Sequence, residues 1–304
     1  MSKISDIINS YAGKTSGLLG VGYKNLLSDC EFYLNGDTRF AAASVFKVPV
    51  LVELFNQLKD GGFSMNDLVE MKEESISLGS GILSKLTPGI KLPLKDYALL
   101  MMIVSDNTAT DYIVHLLGKE KINSTIRAMG LKDTTVDYTC DELIRAFYNI
   151  PSGTPLMKAE EMIVTGACDM NIDMISKADT VNNWTTPWEI TEIFSKIYSK
   201  EVVSPKACEE MMTIMGKCAT NNRLPYLLPS GPREVQKVIH KTGTLFKVVN
   251  DAGIIITDKQ AYILSIFYNG CKASSEERDQ SPGATFGERL LAELSRDVYA
   301  ALHD

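Results

Sequence analysis

Ser44 and Lys47 form the only S-x-x-K sequence in this chain, and a largely apolar run, residues 48–55, follows them directly. The run predicts a buried helix, on which two residues three positions apart lie on one face. A serine hydroxyl becomes a nucleophile when a base takes its proton, and a lysine whose pKa is lowered by burial can be that base. Free N–H groups at the start of a helix add positive potential where an anion would develop. The pair therefore predicts covalent catalysis by serine.

A single S-x-x-K match is weak, because about one is expected by composition in a chain of this length. Taken alone, Ser44 is more simply a helix N-cap, and Lys47 a side chain that reaches from a helix surface to water. The catalytic interpretation therefore depends on partners elsewhere in the sequence.

The first partner is the tripeptide S-D-N at residues 105–107. Apolar stretches at residues 97–104 and 109–117 flank it, and this pattern predicts two helices with a tight turn between them. A capping turn explains the tripeptide equally well when it is considered by itself.

The second partner is K-T-G at residues 241–243, which Thr244 follows. A β-rich segment precedes it and a strand-like run, residues 248–257, comes soon after, so we expect K-T-G on a strand that leads into a hairpin. By itself this tripeptide is also explained as a strand end beside a turn glycine. All three motifs in the order S-x-x-K, S-D-N, K-T-G are hard to produce by chance.

With these motifs the chain resembles the penicillin-recognising serine hydrolases, and within them the class A β-lactamases, which carry the same trio. Residues 40–51 resemble that family's entry to the nucleophile helix, residues 79–83 and 88–92 a segment of its serine hydrolase branch, and residues 185–187 the exit of its Ω-loop. The likeness runs from about residue 5 to the C-terminus. It implies an α+β fold of the β-lactamase/transpeptidase type, with an antiparallel sheet flanked by terminal helices and an all-α lobe.

The resemblance also implies a role for each motif residue. Ser44 would attack a carbonyl carbon, and Lys47 would accept its proton or act as an electrostatic partner. Ser105, with Lys241 near it, would pass a proton to the leaving nitrogen. The backbone N–H groups of Ser44 and Thr244 would form an oxyanion hole, where one donor contributes about 10²–10³ in rate. The expected substrate-binding residues are Asn107, for an amide of the substrate, and Lys241, Thr242, Gly243 and Thr244, for its carboxylate.

The chain departs from the family at the residue that promotes hydrolysis of the acyl enzyme. Class A β-lactamases carry a glutamate in an E-x-x-L-N motif of the Ω-loop, which orients the hydrolytic water, and residues 130–185 contain no such motif. Alignment from Gly130 puts the counterpart of this glutamate near Cys140. Among the carboxylates close by, we expect Glu142 to serve, the alternative being that it is an ordinary helix-surface residue.

Two further departures concern the surroundings of the site. Residues 144–183 exceed the family's compact loop and resemble an insertion with helical pieces, and loops of this length are usually lids or additional helices. Many β-lactamases place an arginine on the strand after K-T-G, whereas Lys247 is the only cation in residues 245–251 here. Strand alternation is expected to point Lys247 away from the cleft.

The order of the elements predicts where such a site would lie. Terminal helices and strands flank a long helical stretch, which implies a sheet built from both ends of the chain with an all-α lobe between. We expect residues 1–43 and 220–304 in the sheet lobe, and residues 44–219 in the helical lobe, with an extended Ω-loop region at about 137–184. A site at the junction would gather residues from both lobes.

The composition of the chain limits the kinds of partner that it is expected to bind. The chain has 304 residues and a net charge of −7 with no obvious basic run, which disfavours nucleic acid and anionic membrane surfaces. Its three histidines are far apart and it has no C-x-x-C, so a zinc hydrolase is disfavoured and we expect neither a metal nor a cofactor. His240, beside Lys241, is the histidine that lies closest to a motif. We expect a monomer that acts on a small molecule.

The N-terminal residues and the cysteines predict the cellular compartment in which the chain is located. Residues 1–8 have no continuous apolar segment of the kind a secretory signal needs. Six cysteines without such a signal favour reduced thiols and a cytoplasmic location. We expect export only if a leader that precedes these residues is missing from the sequence given.

Three functions fit these observations. The first is β-lactam hydrolysis through a Ser44 acyl enzyme, as in the β-lactamases that cause antibiotic resistance. The second is a serine esterase, amidase or peptidase with a different substrate, in which Lys47 and Ser105 could serve both half-reactions. The third is a sensor-like penicillin-binding protein that is acylated and releases slowly. Fold likeness does not choose among them, because function depends on the site.

Overall fold

A computed structural model describes residues 3–231, 234–272 and 285–303, so the expected sheet lobe includes positions outside the described residues. The helices are α1 (Lys3–Ala12), α2 (Lys47–Lys59), α3 (Leu94–Ile103), α4 (Asn107–Leu117), α5 (Lys119–Ala128), α6 (Cys140–Phe147), α7 (Leu156–Thr165), α8 (Asp173–Ser176), α9 (Pro187–Tyr198), α10 (Pro205–Met215) and α11 (Phe286–His303). The strands are β1 (Leu18–Asn25), β2 (Glu31–Leu34), β3 (Phe40–Ala41), β4 (Leu68–Glu70), β5 (Lys91–Pro93), β6 (Trp184–Thr185), β7 (Val235–Leu245), β8 (Val248–Thr257) and β9 (Ala261–Asn269).

Five strands form one antiparallel sheet in the order β2-β1-β9-β8-β7. Strands from both ends of the chain therefore meet in this sheet, as the sequence predicts. Side chains of β9 alternate between two cores: Leu264 and Ile266 pack with the terminal helices α1 and α11, whereas Ile263 and Phe267 pack with the helical lobe. Because both faces are covered, β8 and β9 are buried over nearly their whole length.

Helix α9 lies directly on β1, and glycine makes this approach possible. A Cβ atom at Gly22 would lie 2.4 Å from Thr191 Oγ1 and 2.7 Å from the Pro187 carbonyl oxygen. Thr191 and Ser265 on β9 also share a hydrogen bond of 2.9 Å. Residues 187–198, which fall within the range expected for the helical lobe, thus pack against the sheet.

The helical lobe is organised around α2, which is apolar and buried over most of its length. Helices α3, α4, α5 and α10 surround it and share one hydrophobic core. Two short ribbons, β3 with β6 and β4 with β5, interrupt the helices. The sequence did not predict them, because strands of two or three residues are too short to show a period of two. Among the described helices, none has both the length and the apolar character that crossing a membrane requires.

Candidate active site

A cleft of about 540 Å³ lies between the helical lobe and β7, and residues of all three motifs line it. The motif residues in its lining are Ser44, Ser105, Asn107, Thr242 and Thr244. The two motif lysines are buried beside it, Lys47 at 0% and Lys241 at 1% exposure. The fold therefore brings together residues that are up to 200 positions apart in the chain.

Ser44 lies in a single 3-10 turn, Ala43–Phe46, that leads directly into α2. Asn250 on β8 holds the preceding segment, because its Nδ2 donates to the Ala42 carbonyl oxygen at 3.2 Å. Gly243 lets β7 come close: a Cβ there would lie 2.7 Å from the Ala42 carbonyl oxygen and 3.2 Å from the Ser44 nitrogen. The backbone of Ser44 therefore lies against the K-T-G strand.

The Lys47 ammonium group joins the first motif to the second. Its Nζ donates to the Ser105 carbonyl oxygen at 2.8 Å, to Ser105 Oγ at 3.1 Å and to Asn107 Oδ1 at 2.9 Å. Burial lowers the pKa of Lys47, while the neighbouring Cys140 and Asp111 act in the opposite direction. A lysine with a lowered pKa, within hydrogen-bond distance of the Ser105 hydroxyl group, can take up and return a proton.

The S-D-N turn holds Ser105 in an uncommon conformation, with a φ of 56°. Asp106 fixes the turn: it caps α4 by accepting the Ala109 N–H at 2.9 Å, and it accepts two N–H groups of residues 82–83 at 2.6 and 2.8 Å. The Ser80 hydroxyl donates to the Ser105 carbonyl oxygen at 3.0 Å. Residues 79–83, which the sequence analysis identified only by their resemblance to the family, therefore stabilise the S-D-N turn.

Lys241 is the second buried cation of the site. Its Nζ donates to the Thr242 carbonyl oxygen at 2.8 Å. Burial, together with the nearby charge of Lys47, lowers the pKa of Lys241 to about 7. The charge of Lys47 thus disfavours the charge of Lys241, because like charges in one buried site interact strongly.

Arg223 supplies a further cation that the sequence analysis did not identify. Its buried guanidinium group donates to the carbonyl oxygens of Gly243 at 2.9 Å and Asn250 at 2.8 Å, and to Thr244 Oγ1 at 2.6 Å. Glu288 pairs with it at 3.1 Å. The guanidinium group of Arg223, in an ion pair with Glu288, therefore lies directly behind Thr244, at the exposed end of the K-T-G segment.

Lys247, the cation that the sequence analysis considered, occupies the turn between β7 and β8 with a φ of 55°. Its ammonium group lies 5.3 Å from the centre of the Phe246 ring. It is not among the residues that line the cleft, whereas Phe246 is. Arg223 was missed because it belongs to a segment that precedes K-T-G, and only the packing of that segment on the hairpin brings it to Thr244.

The structure does not bring Glu142 to the cleft. Its carboxylate completes a capping box at the start of α6 by accepting the Thr139 N–H at 2.7 Å, and it pairs with Lys119 at 2.8 Å. Partial burial would raise the pKa of Glu142, but Lys119 and the Thr139 N–H outweigh it and lower that pKa. Glu142 lines two neighbouring surface pockets instead.

Cys140 takes the position in the cleft that the sequence alignment assigned to a glutamate. It is buried at the start of α6, next to Lys47, and lines the cleft. Burial and the adjacent Asp111 raise the pKa of the Cys140 thiol well above its usual value, so the thiol is neutral. Among the described residues that line the cleft, none is an aspartate or a glutamate.

The inserted segment forms the apolar side of the cleft. Helix α7 contributes Ile163, and the hairpin turn contributes Phe246. The other apolar residues of this side are Leu143 and Ile144, from α6, and Tyr148, which follows it. We refer to these five residues as the apolar wall.

Within residues 3–231, 234–272 and 285–303, no three His, Cys, Asp or Glu side chains are grouped as a metal site. The six cysteines are all free thiols. The polar groups of the cleft are therefore hydroxyl, amide and ammonium groups.

Comparisons with known proteins bear on the family and the fold of the chain. The family model described as the β-lactamase enzyme family matches residues 1–302. β-Lactamase VEB-1 of Pseudomonas aeruginosa is 21% identical over 291 residues, covering 91% of this chain and 83% of that protein. The β-lactamase regulatory protein BlaB of Streptomyces cacaoi is 20% identical over 292 residues, covering 92% and 91%. The structure of a β-lactamase from Sphaerobacter thermophilus DSM 20745 matches with a TM-score of 0.78 at 22% identity, covering 99% of this chain and 97% of that one, which confirms the predicted fold class.

Proposed function

The chain belongs to the β-lactamase enzyme family, and from this premise we propose that Ser44 forms an acyl enzyme with the carbonyl group of a β-lactam ring. The observation that supports this most directly is the buried Lys47 ammonium group, which hydrogen-bonds Ser105 and Asn107 at the edge of the cleft that Ser44 lines. An activated serine needs a base whose proton can leave again, and burial prepares Lys47 for that role.

Acylation would proceed in one cycle of proton transfer. Lys47, in its neutral form, takes the Ser44 proton as Oγ bonds to the carbonyl carbon. The C–N bond of the ring then breaks, and Ser105 gives its proton to the nitrogen and recovers one from Lys47. The N–H groups of Ser44 and Thr244 would stabilise the oxyanion, which is consistent with the close approach of β7 to the Ser44 turn.

The K-T-G end of the cleft suits a substrate that carries a carboxylate. Thr242 and Thr244 present hydroxyl groups there, and the charges of Lys241 and Arg223 lie behind them. Hydrogen bonds to an ionised group are about twice as strong as those between neutral groups. A carboxylate on the ring fused to the β-lactam is the group that we propose binds here.

We further propose that release of the acyl group is slow. Hydrolysis needs a base that orients and deprotonates a water molecule, and a neutral thiol, Cys140, stands where a carboxylate would be expected. This favours the sensor-like alternative over rapid turnover. BlaB of Streptomyces cacaoi, which is about as similar to this chain as VEB-1 is, is named a β-lactamase regulatory protein.

The test is to mix the protein with a chromogenic cephalosporin and to follow absorbance together with intact mass. We expect one burst per molecule and a persistent adduct that is absent in Ser44→Ala. If Ser44→Ala still forms the adduct, the proposal is wrong. If the wild type forms no adduct but cleaves p-nitrophenyl esters in a Ser44-dependent way, the esterase alternative holds.

A pair of variants tests the release step. Cys140→Glu would place a carboxylate in the cleft and is expected to shorten the life of the adduct at least about tenfold, well within the contribution of a general base. Cys140→Gln has the same size without the charge and should leave the adduct persistent. Rapid steady turnover by the wild type would contradict slow release while leaving acylation at Ser44 intact.

A further inference from the structure

A buried pair of opposite charge joins the K-T-G strand to its neighbour in the sheet, and the proposed acylation chemistry does not use it. His240 lies on β7 and Asp251 on β8. They are 1% and 0% exposed, and His240 Nδ1 lies 2.9 and 3.1 Å from the two Asp251 carboxylate oxygens. Burying two charged groups is costly, so such a pair is weak evidence of stabilisation by itself. Its remaining hydrogen bonds indicate what the pair does.

These remaining hydrogen bonds go to the two ends of one short segment, residues 221–224. At the start of the segment, His240 Nε2 lies 3.3 Å from Asn221 Oδ1. At its end, the Asp251 carboxylate accepts the Leu224 N–H at 3.1 Å. The pair therefore holds this segment at both ends.

The protonation of His240 agrees with these contacts. Burial would lower the pKa of His240, but Asp251 outweighs it and raises that pKa to about 10. A protonated imidazole has an N–H group on both ring nitrogens, and both nitrogens of His240 lie next to oxygen acceptors. His240 can therefore donate to Asp251 and to Asn221 at the same time.

Arg223 lies within the segment that the pair holds, and its side chain reaches the K-T-G strand. Its guanidinium group donates to the Gly243 carbonyl oxygen at 2.9 Å and to Thr244 Oγ1 at 2.6 Å. A guanidinium group has no acceptor, so the Thr244 hydroxyl group cannot donate to it. The Thr244 hydroxyl hydrogen is therefore left to donate to a group in the cleft, which Thr244 lines.

The position of the Arg223 side chain depends on the backbone that carries it. Its guanidinium contacts are made at the two terminal nitrogens, where Glu288 also pairs with it at 3.1 Å. Within the part of the chain that the structure describes, the buried Arg223 Nε has no hydrogen-bond partner. Contacts along the stem therefore do little to fix the side chain, and a shift of residues 221–224 would move the guanidinium group away from Thr244.

We propose that His240 and Asp251 are positioning residues for the carboxylate of the substrate. The pair holds residues 221–224, and this keeps Arg223 behind Thr244 with the threonine hydroxyl group directed into the cleft. Neither His240 nor Asp251 is among the described residues that line the cleft, so they act through Arg223. This inference rests on the proposed function, because it specifies how the site for the carboxylate is held.

The first experiment compares acylation by a penicillin with acylation by the methyl ester of the same penicillin. His240→Asn and Asn221→Ala break one hydrogen bond from opposite sides, and the asparagine amide retains an N–H group for Asp251. We expect the penicillin rate to fall about tenfold in His240→Asn and about threefold in Asn221→Ala. The methyl ester rate should change less than about twofold, because a charged acceptor gains most from a directed hydroxyl group.

The matched control for these variants is Tyr226→Ala, at a residue of the same loop that is 62% exposed. It should leave the ratio of the penicillin rate to the methyl ester rate unchanged. If His240→Asn lowers both rates equally, the pair has only a structural role, and the proposal is overturned.

The second experiment tests whether the pair acts through Arg223. His240→Asn is combined with Arg223→Gln, and the penicillin rates are compared as a double-mutant cycle. Once Arg223 is replaced, His240→Asn should lower the rate less than about twofold further. Losses that multiply in full would show that His240 acts by another route, such as the charge of Lys241, and would overturn the proposal. Burial and Lys47 lower the pKa of Lys241 while Asp251 opposes them, so Asp251 is left unchanged.

Further variants cover a failure to fold. If Arg223→Gln does not fold, Thr244→Val takes its place in the cycle, because it removes the hydroxyl group that Arg223 orients. If His240→Asn does not fold, Asn221→Ala, at an exposed residue, carries both experiments.

A crystal structure separates this inference from the proposed function. If neither the penicillin nor its ester acylates the wild type, the proposed function fails, and crystals of His240→Asn or Asn221→Ala decide the positioning role. In these variants Arg223 should no longer lie within hydrogen-bond distance of Thr244 Oγ1. An unchanged contact between Arg223 and Thr244 overturns the inference.

Discussion

The two sides of the cleft differ in the polarity of their side chains. The motif side is polar, and its hydroxyl, amide and ammonium groups are held by hydrogen bonds of 2.6 to 3.1 Å. The apolar wall, around Ile163 and Phe246, offers surface without directional contacts. The difference indicates a division of labour. The motif side would carry the reaction, and the apolar wall would select the side chain of the substrate by its size and hydrophobicity.

The largest effect is expected on the motif side, from Lys47→Met. Methionine has a similar length and suits a buried position, but it cannot accept the Ser44 proton, so acylation should fall about 10²–10⁴-fold. Stopped-flow absorbance and intact mass would measure the rate. Lys85→Met, at an exposed lysine outside the cleft, is the matched control. Acylation that stays within about tenfold of the wild type would remove Lys47 as the base.

A smaller effect is expected on the apolar wall, from Ile163→Ala. Removing this contact should reduce the preference for a phenylacetyl over a methyl side chain about tenfold, because a few buried methylene groups are worth roughly 1–3 kcal/mol. The ratio of acylation rates for two such penicillins measures it. Met157→Ala, on the same helix but at a residue that is 81% exposed, should leave the ratio unchanged. Equal loss for both penicillins would show that Ile163 supports the catalytic geometry and not selection.

The next effect concerns charge on the motif side. Since the pKa of Lys241 is about 7, this lysine loses its positive charge as the pH rises above that value. Acylation by a carboxylate-bearing substrate should weaken about fivefold between pH 6 and 8.5, the equivalent of roughly 1 kcal/mol for a partly screened ion pair. A neutral p-nitrophenyl ester is the control. A parallel decline for both substrates would show that the change does not come from the interaction of Lys241 with the substrate carboxylate.

The smallest effect is expected outside the cleft, from Glu142→Gln. This change removes an exposed ion pair with Lys119 and alters a capping box, so the free energy of unfolding should fall by about 0.5–1 kcal/mol. Because the pKa of Glu142 is lowered in the folded state, its contribution should be present at neutral pH and be lost as the pH falls through that lowered pKa. Thermal unfolding at pH 7 and pH 3 would measure this. Accumulation of the acyl enzyme in this variant would restore Glu142 to the mechanism.

Much of the fold could be predicted from local patterns. The expected terminal helices form at Lys3–Ala12 and Phe286–His303, and the strand-like run at residues 248–257 forms β8. The strand that carries K-T-G extends further than its apolar pattern, because β7 pairs with β8 as far as Leu245. Pairing with a neighbour, and not local hydrophobicity, sets where an edge strand ends.

Helix α6 illustrates why the candidate site was harder to predict. Cys140 and Glu142 are two positions apart, so on a helix their side chains diverge by roughly 200°. Which of them meets the cleft depends on how α6 packs against α4, where Asp111 accepts the Cys140 N–H at 2.6 Å. The sequence pattern indicates a helix start, but it does not state how that helix is rotated against its neighbours.

By itself, the sequence determined which residues could form a nucleophile, a base and a proton carrier, because these roles follow from residue type and from spacing within short motifs. It also determined the order of helices and strands, since apolar periodicity is local. The tertiary structure alone decided that Arg223 lies behind Thr244, that Cys140 and not Glu142 faces the cleft, and that His240 meets Asp251. These contacts join segments through packing, and the direction of a side chain across such a contact is set by neighbours that are distant in the chain.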